Sequence, residues 1–319
     1  MEMRTIVFMQ QLPKEYEQTL ETAAPGWTVV AGDDRAVWLP HLKEAEIVCG
    51  WKPEVAERCL HADTKLKWVQ TWGAGVDRLP LEAMSRYGIA VTSASGVHPQ
   101  PVSETAFAMM LAFSRRLHLS IRNQMQRSWQ SVGGLSEIHG KTIGVIGVGA
   151  IGAEIARIAK AFDMNVLGVR RSGGAVDGVD RVFDWTGLNA VLKSSDYVVS
   201  ILPLTPETGH LFGREQFRRM KRSAYFINVG RGPTVHTEAL IEALEEGMIA
   251  GAGLDVFEQE PLPGDNPLWG MDNVIMTPHN GGGTDRYYDR AMRIFLTNLE
   301  AYLQGEAPSL NRVDPIKLY

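Results

Sequence analysis

Short apolar runs alternate with amphipathic segments along most of this chain. Within the first hundred residues, the apolar runs predict β-strands, separated by polar, helix-capable segments, at 6–9, 27–30, 46–50, 68–71 and 89–92. Beyond residue 172, strands are predicted at 197–202, 224–229, 250–256 and 274–276, and helices near 186–193, 213–220 and 237–246. Because such alternation is typical of βα repeats, we expect an α/β fold with doubly wound parallel sheets.

Two longer helical patterns stand outside these repeats. Pro99 and Pro101 interrupt the chain, and apolar residues then recur at helical spacing through 102–127. A last amphipathic pattern covers 284–304. We expect the first helix to link the first layer to the nucleotide-binding one, and the last helix to pack back onto the first domain.

Three glycines lie between a predicted strand and a predicted helix: Gly147, Gly149 and Gly152. The run 141–146 before them is rich in β-branched residues, and a second strand is predicted at 165–169. In a G-x-G-x-x-G unit the first glycine makes the turn, the second admits a pyrophosphate, and the third lets helix pack on strand. The pyrophosphate then lies at the helix N-terminus, where free N–H groups favour an anion.

A lone G-x-G-x-x-G can also mark an ordinary turn. Here the strand before it, the helix after it and the second strand at the right distance favour a dinucleotide site. Ala150 and Ile151, inside the motif, belong to the predicted cofactor contacts, together with Val229 and Gly281 from later loops.

The end of the second strand predicts which dinucleotide binds. An NAD site calls for Asp or Glu about 20 residues after the glycines, but Arg170, Arg171 and Ser172 lie 18 to 20 residues after Gly152. A guanidinium cannot accept a hydrogen bond from a ribose hydroxyl, whereas it can hold a 2′-phosphate. We therefore expect NADPH rather than NADH, with two ordinary surface arginines as the alternative.

Composition excludes several classes of protein. A net charge of −5 argues against a nucleic-acid-binding surface, and the longest apolar run, 106–113, is too short to span a bilayer. No cleavable signal pattern is expected at the N-terminus, and no metal-binding spacing occurs. Cys49 and Cys59 lack a C-x-x-C setting, so we expect reduced thiols in a cytoplasmic enzyme.

Three predicted strands of the second half end in loops with candidate chemistry. Arg231 lies between two glycines, Glu260 precedes a proline, and His279 follows one. Because ligands bind beyond the carboxyl ends of strands in open α/β sheets, these loops can meet in one cleft.

Reduction of a 2-oxo acid requires residues of these three types. The planar Arg231 can hold the carboxylate and polarise the ketone. His279 can give the oxygen its proton near neutral pH, and Glu260 would orient the imidazole and favour its charged form. Singly, each residue is more typical of a solvated loop or a turn. We expect the other histidines to lack an acid partner in a comparable loop: His41, His61, His118, His139, His210 and His236.

These motifs make the chain resemble the D-isomer-specific 2-hydroxyacid dehydrogenase family. The resemblance covers nearly the whole chain and rests on G-V-G-A-I-G at 147–152, N-V-G-R-G at 228–232, G-L-D-V-F-E-Q-E-P-L-P at 253–263 and T-P-H-N-G-G at 277–282. It implies Arg231 as substrate clamp, His279 as acid/base and Glu260 as its partner. It also implies contacts of Asp255 with the nicotinamide carboxamide.

The resemblance further implies how the chain is divided. A smaller, flavodoxin-like substrate domain would comprise 1–99 and 285–319, with a Rossmann cofactor domain at 100–284 inserted in it. The loop 71–77 would then supply backbone donors from Ala74 and Gly75 to the substrate carboxylate, although from its residues alone this loop could equally be a tight turn. Family members usually pair as homodimers through the cofactor domain.

Arg170 replaces the Asp of NAD-using members and resembles the NADP-using glyoxylate/hydroxypyruvate reductases. We therefore expect NADPH-dependent reduction of small 2-oxo acids. Trp51 and Trp72 could line the substrate pocket or be core aromatics. Two alternatives are a phosphite dehydrogenase-like enzyme and a corepressor-like protein that binds the cofactor as a redox-sensitive ligand.

Overall fold

The computed structural model describes residues 4–76 and 79–315, which form two compact units. Unit 1 comprises the described residues up to Val97 and those from Asp285 onward, and unit 2 is His98–Thr284. In chain order, unit 2 is therefore inserted within unit 1.

The elements are numbered in chain order. The strands are β1 Thr5–Phe8, β2 Thr28–Ala31, β3 Ala45–Cys49, β4 Trp68–Gln70, β5 Ala90–Thr92, β6 Thr142–Ile146, β7 Asn165–Val169, β8 Arg181–Phe183, β9 Tyr197–Ser200, β10 Tyr225–Asn228, β11 Gly251–Leu254 and β12 Val274–Met276. The α-helices are α1 Lys14–Ala23, α2 Arg35–Trp38, α3 Pro53–Cys59, α4 Leu81–Arg86, α5 Pro99–Ser114, α6 Leu117–Met125, α7 Ala150–Ala161, α8 Leu188–Ser194, α9 Arg214–Arg219, α10 Thr237–Glu245 and α11 Tyr287–Leu303.

Unit 1 contains a five-stranded parallel sheet in the order β2-β1-β3-β4-β5. This is the doubly wound order found in flavodoxin-like folds. The last helix, α11, packs on the sheet as expected, because Phe295 stacks on Trp68 and lies edge-on to Phe8, each at 5.1 Å between ring centroids.

Unit 2 contains a seven-stranded parallel sheet in the order β12-β11-β10-β9-β6-β7-β8. β6 and β9 are neighbours at the centre of the sheet. From β6 the chain adds β7 and β8 on one side, and then β9 to β12 on the other side. Ligands of open α/β sheets bind at such a switch point, beyond the carboxyl ends of the strands. The predicted fold class of two doubly wound parallel sheets is confirmed.

The single helix predicted at 102–127 is wrong, because the structure has α5 and α6 there. The break falls at Arg116, whose φ of 50° is left-handed. Apolar spacing continues across the break, yet α5 is largely buried whereas no residue of α6 is. Burial of only one of the two segments, which spacing alone does not reveal, explains the difference.

Two findings concern the part of the chain that the structure describes. No helix there combines the length and apolar character needed to cross a membrane. No group of three or more His, Cys, Asp or Glu side chains there could hold a metal ion.

Candidate active site

The glycine motif forms a tight turn from β6 into α7. Gly147 has a φ of 105°, and a Cβ there would lie 2.8 Å from the carbonyl oxygen of Ile201. A Cβ on Gly152 would lie 2.5 Å from the carbonyl oxygen of Gly147. These two positions therefore exclude side chains, because strand, turn and helix approach one another too closely.

The middle glycine differs from the other two. Gly149 is exposed, and an added Cβ would meet no atom within 4 Å. It precedes the first turn of α7, whose unpaired N–H groups favour an anion. The open side of this turn fits a pyrophosphate, and Ala150 and Ile151 lie beside it in the first turn.

Arg170 and Arg171 follow β7, which pairs with β6, so they lie on the same edge of the sheet as the glycine turn. The Arg170 backbone N–H donates to Phe183 at 3.0 Å, and its side chain is half-buried. Arg171 and Ser172 are exposed. The pKa of Glu207 is lowered, chiefly by a hydrogen bond from Thr205 and in smaller part by the charge of Arg171.

The loop that carries Arg231 is held by the Asn228 side chain and by close packing at Gly232. Asn228 accepts a hydrogen bond from the Gly230 N–H at 3.1 Å and donates to the Arg231 carbonyl at 3.2 Å. A Cβ on Gly232 would lie only 1.8 Å from the carbonyl oxygen of Phe257. Because Gly232 has no side chain, the Arg231 loop lies directly against the loop that follows β11.

Asp255 ties the loop after β11 to the loop after β12. Its buried carboxylate accepts hydrogen bonds from the Thr277 hydroxyl at 2.6 Å and from the N–H groups of Asn280 and Gly281 at 3.0 Å. The Asp255 carbonyl accepts from the His279 N–H at 2.8 Å. A Cβ on Gly281 would lie 2.7 Å from the Asp255 carboxylate, so this closure needs glycine. Contact of Asp255 with a nicotinamide stays a prediction.

His279 and Glu260 form a hydrogen-bonded pair. Nδ1 of His279 lies 2.8 Å from Oε2 of Glu260, whose Oε1 accepts from the Phe257 N–H at 3.0 Å. His279 has a φ of 51°, a left-handed conformation that few residues adopt but that recurs at functional sites. With Nδ1 engaged by Glu260, Nε2 is the nitrogen left to face a substrate. The imidazole is about half exposed, at 48% of its side-chain surface.

The remaining predicted residues lie in two places. Val229 is buried at the end of β10 in unit 2. In unit 1, Trp51 follows β3, while Ala74 and Gly75 lie in the loop after β4. Asp77, the last residue of the predicted 71–77 loop, lies outside the described residues.

Trp72 belongs to an aromatic cluster within unit 1. Its ring lies edge-on to Phe8 at 6.1 Å and close to Tyr287 and Tyr288, at 6.1 and 5.9 Å. The Tyr287 hydroxyl donates to the Trp72 carbonyl. Trp72 therefore has the packing of a core aromatic, and a second role in a substrate pocket stays a prediction.

The expectation that the other histidines lack an acid partner in a comparable loop is wrong for His210, and two more histidines pair with acids elsewhere. His210 Nε2 lies 2.5 Å from Glu258, His236 Nδ1 lies 3.1 Å from Glu238, and His139 Nε2 lies 3.0 Å from Asp163. Only the first of these pairs involves a loop of the candidate site. His210 and Glu258 are 48 residues apart, so no local spacing indicated the pair.

Comparisons with known proteins match the predicted resemblance. Residues 107–281 match the family model described as D-isomer specific 2-hydroxyacid dehydrogenase, NAD binding domain. A glyoxylate reductase of Korarchaeum cryptofilum is 35% identical over 292 residues, which cover 88% of this chain and 87% of that protein. A D-3-phosphoglycerate dehydrogenase of Methanocaldococcus jannaschii is 36% identical over 87% of this chain but only 53% of its own length.

A solved structure agrees over almost the full length of the chain. It is an NADPH-dependent glyoxylate/hydroxypyruvate reductase of Sinorhizobium meliloti, in complex with NADP and sulfate. The two chains are 29% identical with a TM-score of 0.83, and the match covers 99% of this chain and 100% of the other.

Proposed function

Because this chain belongs to the D-isomer specific 2-hydroxyacid dehydrogenase family of NAD(P)-dependent oxidoreductases, we propose that it reduces glyoxylate, hydroxypyruvate or similar small 2-oxo acids to D-2-hydroxy acids with NADPH. The observation that carries this proposal is the His279–Glu260 pair, at 2.8 Å, on the sheet edge that also carries the glycine turn. An imidazole backed by a carboxylate can give a proton to a carbonyl oxygen.

The glycine turn fits the dinucleotide that this reaction needs. Gly149 leaves open space beside the N-terminus of α7, and Arg170 lies at the end of the neighbouring strand. A nicotinamide cofactor bound there supplies the hydride. The protein itself must hold the substrate, orient it and provide the proton.

Arg231 would bind the substrate, and His279 would provide the proton. The Arg231 guanidinium would bind the substrate carboxylate through its fork and draw electron density from the ketone. His279 would donate the proton from Nε2 to the ketone oxygen, while Glu260 holds Nδ1 and stabilises the charged imidazole. In the reverse direction, Nε2 would accept the hydroxyl proton.

We also propose substrate-binding roles for four residues of unit 1. Backbone N–H groups of Ala74 and Gly75, after β4, are proposed donors to the substrate carboxylate, and Trp51 and Trp72 are proposed to limit substrate size. All four residues lie at the carboxyl ends of β3 and β4, which are neighbours in the sheet. Substrates of doubly wound folds bind at this edge.

A panel of substrates tests the proposal. Glyoxylate and hydroxypyruvate should be reduced with loss of nicotinamide absorbance, whereas phosphite and D-3-phosphoglycerate should give little NADPH formation in the oxidative direction. Oxidation of phosphite that is faster than the reduction of glyoxylate and hydroxypyruvate would favour the phosphite dehydrogenase-like alternative. Tight NADPH binding without turnover of any 2-oxo acid would favour the corepressor-like alternative.

We propose NADPH over NADH because of Arg170 and Arg171. Their guanidinium groups at the end of β7 can hold the 2′-phosphate that distinguishes the two cofactors. The solved reductase of S. meliloti contains NADP, which supports the same preference for a chain of similar fold.

Replacing Arg170 with aspartate tests this preference. Loss of a charge-assisted hydrogen bond worth roughly 1.5–3 kcal/mol should lower kcat/KM for NADPH by about 10–100-fold. The new carboxylate should also increase the use of NADH. The measurement is kcat/KM with each cofactor, with Arg222→Asp, an exposed position before β10, as the charge control. An unchanged cofactor ratio would contradict the assignment.

We propose that two copies pair through α6 and the segment that follows it. Leu117, Ile121 and Met125 recur every four residues along α6 and are 52%, 47% and 81% exposed, and Trp129 is fully exposed. A stripe of exposed apolar side chains on one helix is typical of a protein interface. In a twofold pair the same stripe on each copy would cover the other.

Sedimentation tests this pairing. The wild type should sediment at about twice the chain mass of 35.2 kDa, and Ile121→Asp should shift it towards a single copy, because a charge in an apolar interface is costly. Leu310→Asp, at an exposed leucine of unit 1, is the matched control and should still sediment as a pair. A wild type that sediments as one copy at micromolar concentration would refute the proposal.

A cytoplasmic location is also proposed. Cys49 and Cys59 are buried free thiols, and burial raises the pKa of Cys59 to about 11. Such unreactive reduced thiols are typical of proteins from reducing compartments.

A further inference from the structure

Glu258 is the centre of a hydrogen-bond network in the loop that also carries Glu260. Its Oε1 lies 2.5 Å from Nε2 of His210, in the loop after β9. Its Oε2 accepts from both the backbone N–H and the hydroxyl of Thr237, at 3.0 and 2.6 Å. One carboxylate thus connects the loop after β11 to two other elements of unit 2.

The contact with Thr237 joins Glu258 to the start of α10. Thr237 is the first residue of that helix, and its N–H is one of the groups that a helix leaves unpaired. A carboxylate at this end is stabilised by the hydrogen bond and by the helix dipole. Burial raises the pKa of Glu258, but the bonds from Thr237 and His210 outweigh burial and lower the pKa overall. Glu258 is therefore a charged anchor at neutral pH.

This anchor adjoins the backbone that holds Glu260. The Phe257 N–H donates to Oε1 of Glu260, and the Phe257 carbonyl packs against Gly232. Glu258 is the next residue, so its attachment to Thr237 and His210 restrains the backbone next to the Phe257 N–H that binds Glu260. The loop after β11 therefore supplies the carboxylate of two His–Glu pairs, His279–Glu260 and His210–Glu258.

We propose that Glu258, held by Thr237 and His210, is a positioning residue that fixes Glu260 against His279. The proposal rests on the roles proposed for Glu260 and His279. Glu258 acts through the backbone of Phe257. When its anchor is lost, the loop can shift, the Glu260 carboxylate moves away from Nδ1, and the protonated imidazole loses its partner. Displacements of about 1 Å at a reacting group can lower a rate about 100-fold.

The first test reads the His279–Glu260 hydrogen bond without turnover. In NMR spectra of the full chain, the Nδ1–H proton signal of His279 is assigned from its absence in His279→Asn. In Glu258→Ala this signal should weaken or disappear, because an Nδ1–H that has lost its bond to Glu260 exchanges faster with water. Glu258→Gln should weaken it less, since its amide oxygen can still accept from the Thr237 N–H.

Kinetics provide the second readout. In Glu258→Ala, kcat for 2-oxo acid reduction should fall about 10–100-fold with little change in KM for NADPH. Glu238→Gln is the matched control, because it removes a charge beside His236 in the first turn of α10 without touching Glu258. If Glu258→Ala fails to fold, Thr237→Val and His210→Asn each remove one donor to Glu258. Asparagine also tolerates the left-handed backbone at 210, where φ is 51°.

The outcomes separate this proposal from the proposed function. A His279 Nδ1–H signal in Glu258→Ala as strong as that of the wild type would overturn the positioning role. An equal loss of the signal in Glu238→Gln would overturn it as well. A lower melting temperature with an unchanged Nδ1–H signal would show that Glu258 has only a structural role, and would overturn it too. Absence of turnover in the wild type would refute the 2-oxo acid reductase but would leave the NMR signal to decide on Glu258.

Discussion

Replacement of His279 with asparagine is expected to lower kcat for 2-oxo acid reduction by about 10²–10⁴-fold, the range typical of loss of a general acid. Asparagine suits this test because it tolerates left-handed backbone, and φ is 51° here. The loop should therefore keep its hydrogen bonds to Asp255, and the affinity for NADPH should remain near that of the wild type.

The control for this substitution is His139→Asn. His139 also pairs with a carboxylate, that of Asp163 at 3.0 Å, but its imidazole is 66% exposed and does not belong to the strand-end loops. Stopped-flow rates and NADPH fluorescence titrations should distinguish the two variants. An His279→Asn enzyme with more than about a tenth of the wild-type kcat would exclude His279 as the acid.

The direction of the pH dependence follows from the same assignment. Reduction takes a proton from the imidazole, so kcat/KM for the 2-oxo acid should fall as the pH rises. Oxidation of the D-2-hydroxy acid gives a proton to the imidazole, so its kcat/KM should rise with pH. In the His279→Asn enzyme, neither of these two pH dependences of kcat/KM should be observed.

Replacement of Arg231 with alanine is expected to lower kcat/KM for the 2-oxo acid by about 10²–10³-fold. Removal of one partner from a hydrogen-bonded charge pair costs roughly 2–5 kcal/mol, and each 1.36 kcal/mol is tenfold in rate. Because the guanidinium would hold the carboxylate before and during the reaction, we expect both a higher KM and a lower kcat.

Arg231→Lys separates charge from geometry. A lysine keeps the positive charge but not the planar fork, so it should recover only a small part of the lost kcat/KM. Arg218→Ala, at an exposed position on α9, is the control and should leave kcat/KM unchanged. Full activity in Arg231→Lys would show that charge alone is sufficient and would contradict bidentate binding of the carboxylate.

Several features of this protein were readable from the amino-acid order. Apolar runs of about three to seven residues separated by helical patterns predicted the βα repeats, because side-chain periodicity directly reflects local geometry. Gly147 and Gly152 predicted the turn, since each approaches backbone too closely for a Cβ. The pairing of His279 with Glu260, 19 residues apart, was predicted from loops that follow neighbouring strands and from the family resemblance. The catalytic role of the pair stays a prediction.

Other features depend on contacts between distant parts of the chain. The break at Arg116 was not predicted, because helical spacing continues across it while burial changes. The strand β8, only three residues long and without a fully buried residue, has no pattern of its own to reveal it. The His210–Glu258–Thr237 network joins three separate elements, and its members carry no signal of mutual contact in their own neighbourhoods. Local sequence thus determines which segments become strands, helices and glycine turns, because periodicity and the absence of a Cβ act within a few residues. Only the tertiary structure brings His210 to Glu258 and Thr237, because that contact depends on the order in which the strands join the sheet.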